Sequence, residues 1–343
     1  MNGKAFFKRI QKMLGWLIII LGVFSLVGVI YQAIAAAQDR KNYPAPGQMV
    51  SVGDRQLHLL VTGKPSEYPT VLLEAGVASF SSNWYWVQEE LSHITRVVSY
   101  DRAGLGWSDP APEPFDAYQS ARDLHTALEN ADIQGPYVVA AHSYGGLVMQ
   151  AFTDLYPEEV VGMVLADTSH PEQWARIPAS KGGSVVAASN QLMGFLARVG
   201  VVRLFKMNDS LSAGLPEQQA SEMNANLSTV QPWSTSGDVI AIWNTRTRSQ
   251  LSQAHYPENL PLIVLSATER PDYGKEEMDA QQDDLATLSS NSLHQLVEGA
   301  SHESLIAEKK NAHIVANAIE LVLQVSQTGE PLASSSLTQA GTP

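Results

Sequence analysis

The sequence offers one serine in a setting that makes a hydroxyl reactive. Residues 137–147 read YVVAAHSYGGL. A β-branched apolar run ends at Ala141, and Gly145-Gly146 open a helical pattern, so Ser143 is predicted on a sharp strand-to-helix turn. Such a turn strains the backbone of its apex residue and lifts the side chain clear of the sheet edge. The amides of the new helix then point to where negative charge can develop. Strand and helix approach closely, so small residues are needed two before and two after the apex. The usual pattern is Gly-x-Ser-x-Gly. Here it is Ala141-His142-Ser143-Tyr144-Gly145, which adds one methyl group. The chemistry predicted is nucleophilic attack by Ser143 with a covalent intermediate. The plainer reading is a serine capping an ordinary helix.

Four more stretches lie in order around this turn: LLEAGVASFSSNW, SYDRAGLGWSDP, YPEEVVGMVLADTSHP and EGASHESL. Together with AHSYGG they resemble the α/β-hydrolase fold superfamily, the class of serine esterases, lipases and proline iminopeptidase-like hydrolases. The resemblance covers roughly residues 45–325. It implies Ser143 as nucleophile and His302, in the turn after a short strand, as the general base. It places the first half of an oxyanion hole after LLEAG, with Ala75-Gly76 replacing the common His-Gly. The donors are backbone amides, assigned to Val77 and Tyr144, with Gly76 letting the backbone turn toward the substrate oxygen. The acid that orients His302 has two family positions. One lies at the end of VVGMVLA, where Asp167 stands. The other follows the strand Leu262–Ser266, where ATERPDYG offers Glu269 or Asp272 and Arg270 occupies the expected place of the acid. Asp167 is preferred, Glu269 is the alternative, and Asp272 comes after both. Epoxide hydrolases and haloalkane dehalogenases share this fold but use an aspartate nucleophile, so Ser143 argues against both. His142 is read as structural, His170 and His313 as structural or surface, and Asp101 and Arg102 as a local pair. No metal-ligand spacing, Walker loop or GxGxxG occurs, so neither metal nor cofactor is expected.

These residues need a frame that brings distant strand ends together. Short apolar runs at Gln48–Val52, Gln56–Val61, Thr70–Leu73, Arg96–Tyr100, Tyr137–Ala141, Val160–Ala166, Leu262–Ser266 and His294–Val297 alternate with helical patterns. The pattern predicts an α/β fold: a mostly parallel eight-stranded sheet with helices on both faces. Residues 171–258 break the rhythm, with helical patterns and no convincing strand, and are read as a helical lid insertion within a hydrolase domain of 48–326. The small polar residues 327–343 are expected to be a disordered tail.

Ahead of this frame, Met13–Gln38 contains no charged residue, which as a helix is roughly 39 Å long. That crosses a ~30 Å hydrocarbon core with some tilt. Lys4, Lys8, Arg9 and Lys12 precede it in a basic segment of residues 1–12, so this end is expected in the cytoplasm and the body outside it. The small residues 33–37 also suit signal cleavage, which would release a secreted protein. Residues 39–47, with two prolines and a glycine, read as a linker. After residue 41 the chain carries 16 basic and 34 acidic side chains, a net of −18 that argues against nucleic acid as a partner. With no cysteine there is no disulfide and no thiol nucleophile. The function expected is cleavage of an ester or amide bond in a small or lipophilic substrate, including a lipid, with the membrane as second partner. The alternatives are an acyltransferase on the same residues, and an inactive membrane-anchored binding protein of the same fold. Oligomeric state is left open.

Overall fold

The computed structural model describes residues 3–111, 115–177, 182–270 and 275–332. Helix α1 (Gly3–Asn42) contains the whole uncharged run. It ends where Tyr43 precedes Pro44, because a following proline disfavours the helical conformation. Arg40 and Lys41 sit in its last turn, where cations suit the carbonyl end of the helix dipole. The expected linker is therefore helical as far as Asn42. Its remainder is fastened to the body: Trp107 Nε1 donates to Tyr43 O at 2.9 Å, and Gly47 N donates to His58 Nε2 at 3.0 Å.

The sheet has eight strands: β1 (Gln48–Val52), β2 (Arg55–Thr62), β3 (Thr70–Glu74), β4 (Val97–Tyr100), β5 (Tyr137–His142), β6 (Val160–Ala166), β7 (Leu262–Glu269) and β8 (Ser292–Ser301). Their order is β1-β2-β4-β3-β5-β6-β7-β8. β1 pairs antiparallel with β2, and β2 with β4; every other pairing is parallel. β3, β4 and β5 are buried at every position, which is why their sequences are mainly apolar and show no regular polar alternation.

Helices α2 (Tyr85–Leu91), α3 (Ala117–Asn130) and α4 (Gly145–Leu155) follow β3, β4 and β5 in turn. Asp116 caps α3 by accepting from Gln119 N at 2.8 Å. Between β6 and β7 the chain forms α5 (Gln173–Arg176), α6 (Gly183–Arg198), α7 (Val201–Leu204), α8 (Glu217–Leu227), α9 (Gln231–Ile242), a π-helical turn at Trp243–Thr247 and α10 (Arg248–Leu251). No strand occurs among the described residues of this insertion. The chain closes with α11 (Lys275–Ala286), α12 (Ser304–Ala307) and α13 (Lys309–Thr328).

Leu124 and Leu128 of α3 and Leu147 and Phe152 of α4 pack against Val139 and Leu165 on one face of the sheet. Val315, Ile319 and Val322 of α13 and Val87 of α2 cover Val71, Val138 and Val164 on the other. Gly329, at φ +69°, terminates α13, and Leu332 beyond it is fully buried. Of the residues expected to form a disordered tail, 327–332 are therefore ordered; residues 333–343 lie outside the described residues.

Candidate active site

β5 delivers its last residue, His142, to the carboxyl edge of the sheet, and Ser143 turns the chain into α4. Ser143 has φ +56°, a left-handed conformation that costs any residue with a Cβ and is held here by the packing around it. A methyl group on Gly145 would come within 2.5 Å of Glu74 O, so the second small position of the motif is sterically required. At the first, Ala141 is accommodated and fully buried. Gly76 faces the serine. A Cβ there would lie 2.8 Å from Ser143 Cβ and 3.2 Å from Oγ. Its value is therefore the space it leaves in front of the hydroxyl. The left-handed residue of this loop is Ala78, at φ +51°.

Asp167 directly follows β6, the strand beside β5, also with a positive φ of +50°. The loop that follows is tied to the elbow by Ser169 N donating to Ser143 O at 2.9 Å. His302 follows β8, and its Nδ1 lies 2.6 Å from Asp167 Oδ2. The other carboxylate oxygen accepts from Ala267 N at 3.0 Å and from the Arg270 guanidinium. Glu269 is exposed at the end of β7 and does not share this contact. Arg270, the cation standing where an acid was expected, therefore pairs with the acid of the neighbouring strand. Asp272 lies outside the described residues.

Burial pushes the Asp167 carboxyl up, but the His302 hydrogen bond and charge, Arg270 and the Ala267 amide outweigh it, and the net direction is down. His302 moves the other way. Burial lowers it, the Asp167 hydrogen bond and charge raise it, and the net is above its ordinary value. The ring is 41% exposed, so the carboxylate has more influence on it than loss of solvent. The lowered Asp167 carboxylate accepts from His302 Nδ1, which leaves Nε2 as the nitrogen not engaged by the acid.

His142 is buried next to this pair, its ring centroid 4.5 Å from that of His302. Its Nε2 donates to His302 O at 2.8 Å and so fixes the backbone of the residue that carries the base. Burial, then the charge on His302, lowers its pKa to about 4, so it is neutral at pH 7.

The predicted local pair of Asp101 and Arg102 does not form. Successive residues of an extended chain point to opposite sides. Asp101 Oδ2 meets His58 Nδ1 at 3.0 Å and Trp107 N at 2.9 Å, and its Oδ1 accepts from Ser81 N at 2.9 Å. Arg102 reaches Glu74 and donates to the carbonyls of Ala75 and Gly76, with its guanidinium 5.4 Å from the Tyr144 ring centroid. Glu74 is fully buried and also accepts from Tyr100 OH. One cation thus braces both segments whose amides, Val77 and Tyr144, are the oxyanion candidates. The available signal was the lone carboxylate closing the apolar run TVLLE, since a buried charge needs a partner.

The insertion lies over these segments. Ser236 of α9 accepts from Ala78 N at 2.9 Å, and Trp243 packs edge-on against Tyr144 with centroids 5.5 Å apart. Ser143 is only 9% exposed beneath it.

A parallel sheet with two antiparallel edge pairings, a left-handed serine at the end of its fifth strand and helices inserted after its sixth define an α/β-hydrolase. Residues 71–318 match the model of the alpha/beta hydrolase family, and the chain belongs to that family. It is similar to an uncharacterized protein of Schizosaccharomyces pombe, 27% identical over 295 residues, which are 77% of this chain and 54% of that one. It is also similar to epoxide hydrolase 1 of Caenorhabditis elegans, 29% identical over 119 residues, 34% of this chain and 29% of that one. Among solved structures, a thermophilic esterase from Thermogutta terrifontis is 20% identical with a TM-score of 0.58, covering 82% of this chain and 99% of that one. The chain spans about half or less of the length of the curated relatives it matches first.

Proposed function

We propose that this protein is a serine hydrolase that cleaves an ester or amide of a small or lipophilic substrate, held at a membrane by α1. The carrying observations are the left-handed Ser143 at the elbow and, against the ring of its neighbour His142, an imidazole bound through Nδ1 to a buried carboxylate. In this mechanism His302 Nε2 takes the proton from Ser143 Oγ as the oxygen attacks the carbonyl carbon. The Val77 and Tyr144 amides receive the developing oxyanion. The imidazolium returns its proton to the leaving alcohol or amine as the acyl-serine forms. Water, deprotonated by the same nitrogen, then releases the acid and restores the serine. Asp167 stays ionised and holds the tautomer. An aspartate at position 143 would be needed for the alkyl-enzyme route of the epoxide hydrolases, and the elbow carries a serine.

Support for the membrane reading is a helix apolar over an 18-residue window of mean hydropathy 2.6, none of it buried within the protein. Basic residues precede it, which orients the catalytic domain to the extracytoplasmic side.

The test is covalent labelling. A fluorophosphonate should modify Ser143, and Ser143→Ala should lose both labelling and turnover of p-nitrophenyl esters with its melting temperature nearly unchanged. Turnover retained within a few-fold in that variant would return the site to a different nucleophile.

A further inference from the structure

Residues 183–208 carry three basic side chains, Arg198, Arg203 and Lys206, and no acidic one, in a body whose net charge is −18. In the same stretch Leu192, Phe195, Leu204 and Phe205 are 57%, 59%, 66% and 69% exposed. α6 turns Ala187, Asn190, Gly194 and Ala197 inward and leaves Leu192 and Phe195 outside. Large apolar side chains grouped at that exposure mark a surface built to meet something apolar.

This surface adjoins α1. Gly28 abuts Val199 O so closely that a side chain would not fit, and Gly200 lies against Tyr31. Gln32 Nε2 donates to Ser228 O at 2.7 Å and its Oε1 accepts from Arg203 Nε at 3.1 Å. Arg203 also pairs with Asp39 at 2.6 Å.

Lys12 is the last charge before the apolar run. Gly28 lies about 24 Å further along the helix at 1.5 Å per residue. With Lys12 at the inner boundary of a ~30 Å hydrocarbon core, the contact with Val199 falls roughly 6 Å inside the outer boundary. A tilted helix puts it deeper. Val199 belongs to the lid, so the α6–α7 corner must enter the membrane with it.

We propose that the lid face formed by Leu192, Phe195, Leu204 and Phe205 docks into the outer leaflet of an anionic lipid bilayer, with Arg198 and Lys206 at the headgroups. The inference rests on the anchor reading of α1 given above. Its chemistry is that of an interfacial amphipathic helix: apolar groups in the acyl boundary and cations at the anionic surface. The docked face is continuous with the site. Ala197, Val202 and Trp233 share one apolar cluster with Ala78 and Phe80, on the loop that carries Val77.

The chain has no cysteine, so an introduced one is a unique label. Full-length Phe195→Cys, Phe205→Cys, Leu21→Cys and Glu129→Cys proteins would each carry nitrobenzoxadiazole. They would be reconstituted in phosphatidylcholine–phosphatidylglycerol vesicles with or without doxyl-labelled lipid. The probes at 195, 205 and 21 should emit blue-shifted light and lose most of it to the doxyl quencher, while the probe at 129, at the far end of α3, should not. Quenching at 21 with none at 195 and 205 would overturn the docked lid and leave the anchor standing. No quenching at 21 would overturn the anchor and the docked lid together.

Discussion

His302 is drawn in opposite directions by two residues on adjacent strands. Burial lowers its pKa, Asp167 at Nδ1 outweighs that and raises it, and Arg270, on the far oxygen of the same carboxylate, adds a smaller lowering. Only the neutral imidazole can take the Ser143 proton, so kcat/KM should fall as pH drops through a value above the ordinary histidine pKa of about 6.5. Arg270→Met removes a lowering charge, so the acid limb should move to higher pH; a limb that stays in place would detach Arg270 from the relay. Asp167→Asn should cost roughly 10⁴-fold in kcat by favouring the wrong tautomer, and Glu269→Gln only a few-fold. The reverse order would move the acid to the end of β7. Ser143 and His302 stood out in the sequence because each follows a strand and carries its own local turn chemistry. Arg270 did not, since its partner is 103 residues away on another strand. A lone arginine in an expected acid's place says that something changed, without saying what it faces. The structural account of His142 was likewise incomplete: a histidine next to a nucleophile reads as a turn residue until the carbonyl it bonds, 160 residues on, is in view.

At the level of elements, the strands were legible to within a residue or two along most of the sheet, because buried parallel strands are unbroken apolar runs. Helix ends were harder. α1 passed into the predicted linker because the prolines and glycine of residues 39–47 begin only at Pro44, and Asp39 ahead of them is held by Arg203. The lid's contacts were not legible, since helical periodicity shows which face is apolar and not what it meets. Ser236 is the point where lid and catalytic loop join. In Ser236→Ala the buried Ala78 N–H loses its acceptor, which should lower unfolding stability by about 1–3 kcal/mol in urea melts. kcat should fall with it, as the neighbouring Val77 amide loses its fixed direction. Unchanged kcat alongside a clear stability loss would make this bond a purely structural tie.

On the scale of the whole molecule, charge and apolarity are segregated. The acidic body repels anionic surfaces, and the basic start of the chain and residues 183–208 are where that repulsion is reversed. Full-length protein should remain in the membrane pellet through high salt and carbonate and leave it only in detergent. Protease added to the extracytoplasmic side should digest the catalytic domain, and a soluble mature form beginning near Gln38 would establish signal cleavage instead. The close seat of Gly28 against Val199 has a mechanical consequence. It leaves no slack between α1 and the insertion, so under the proposed anchoring the lid would ride at a height set by how far along α1 the bilayer reaches. A thicker membrane immerses more of the lid and a thinner one lifts it out. The helix thus works as a ruler: the same catalytic machinery would sit shallow or deep according to the membrane in which the chain resides.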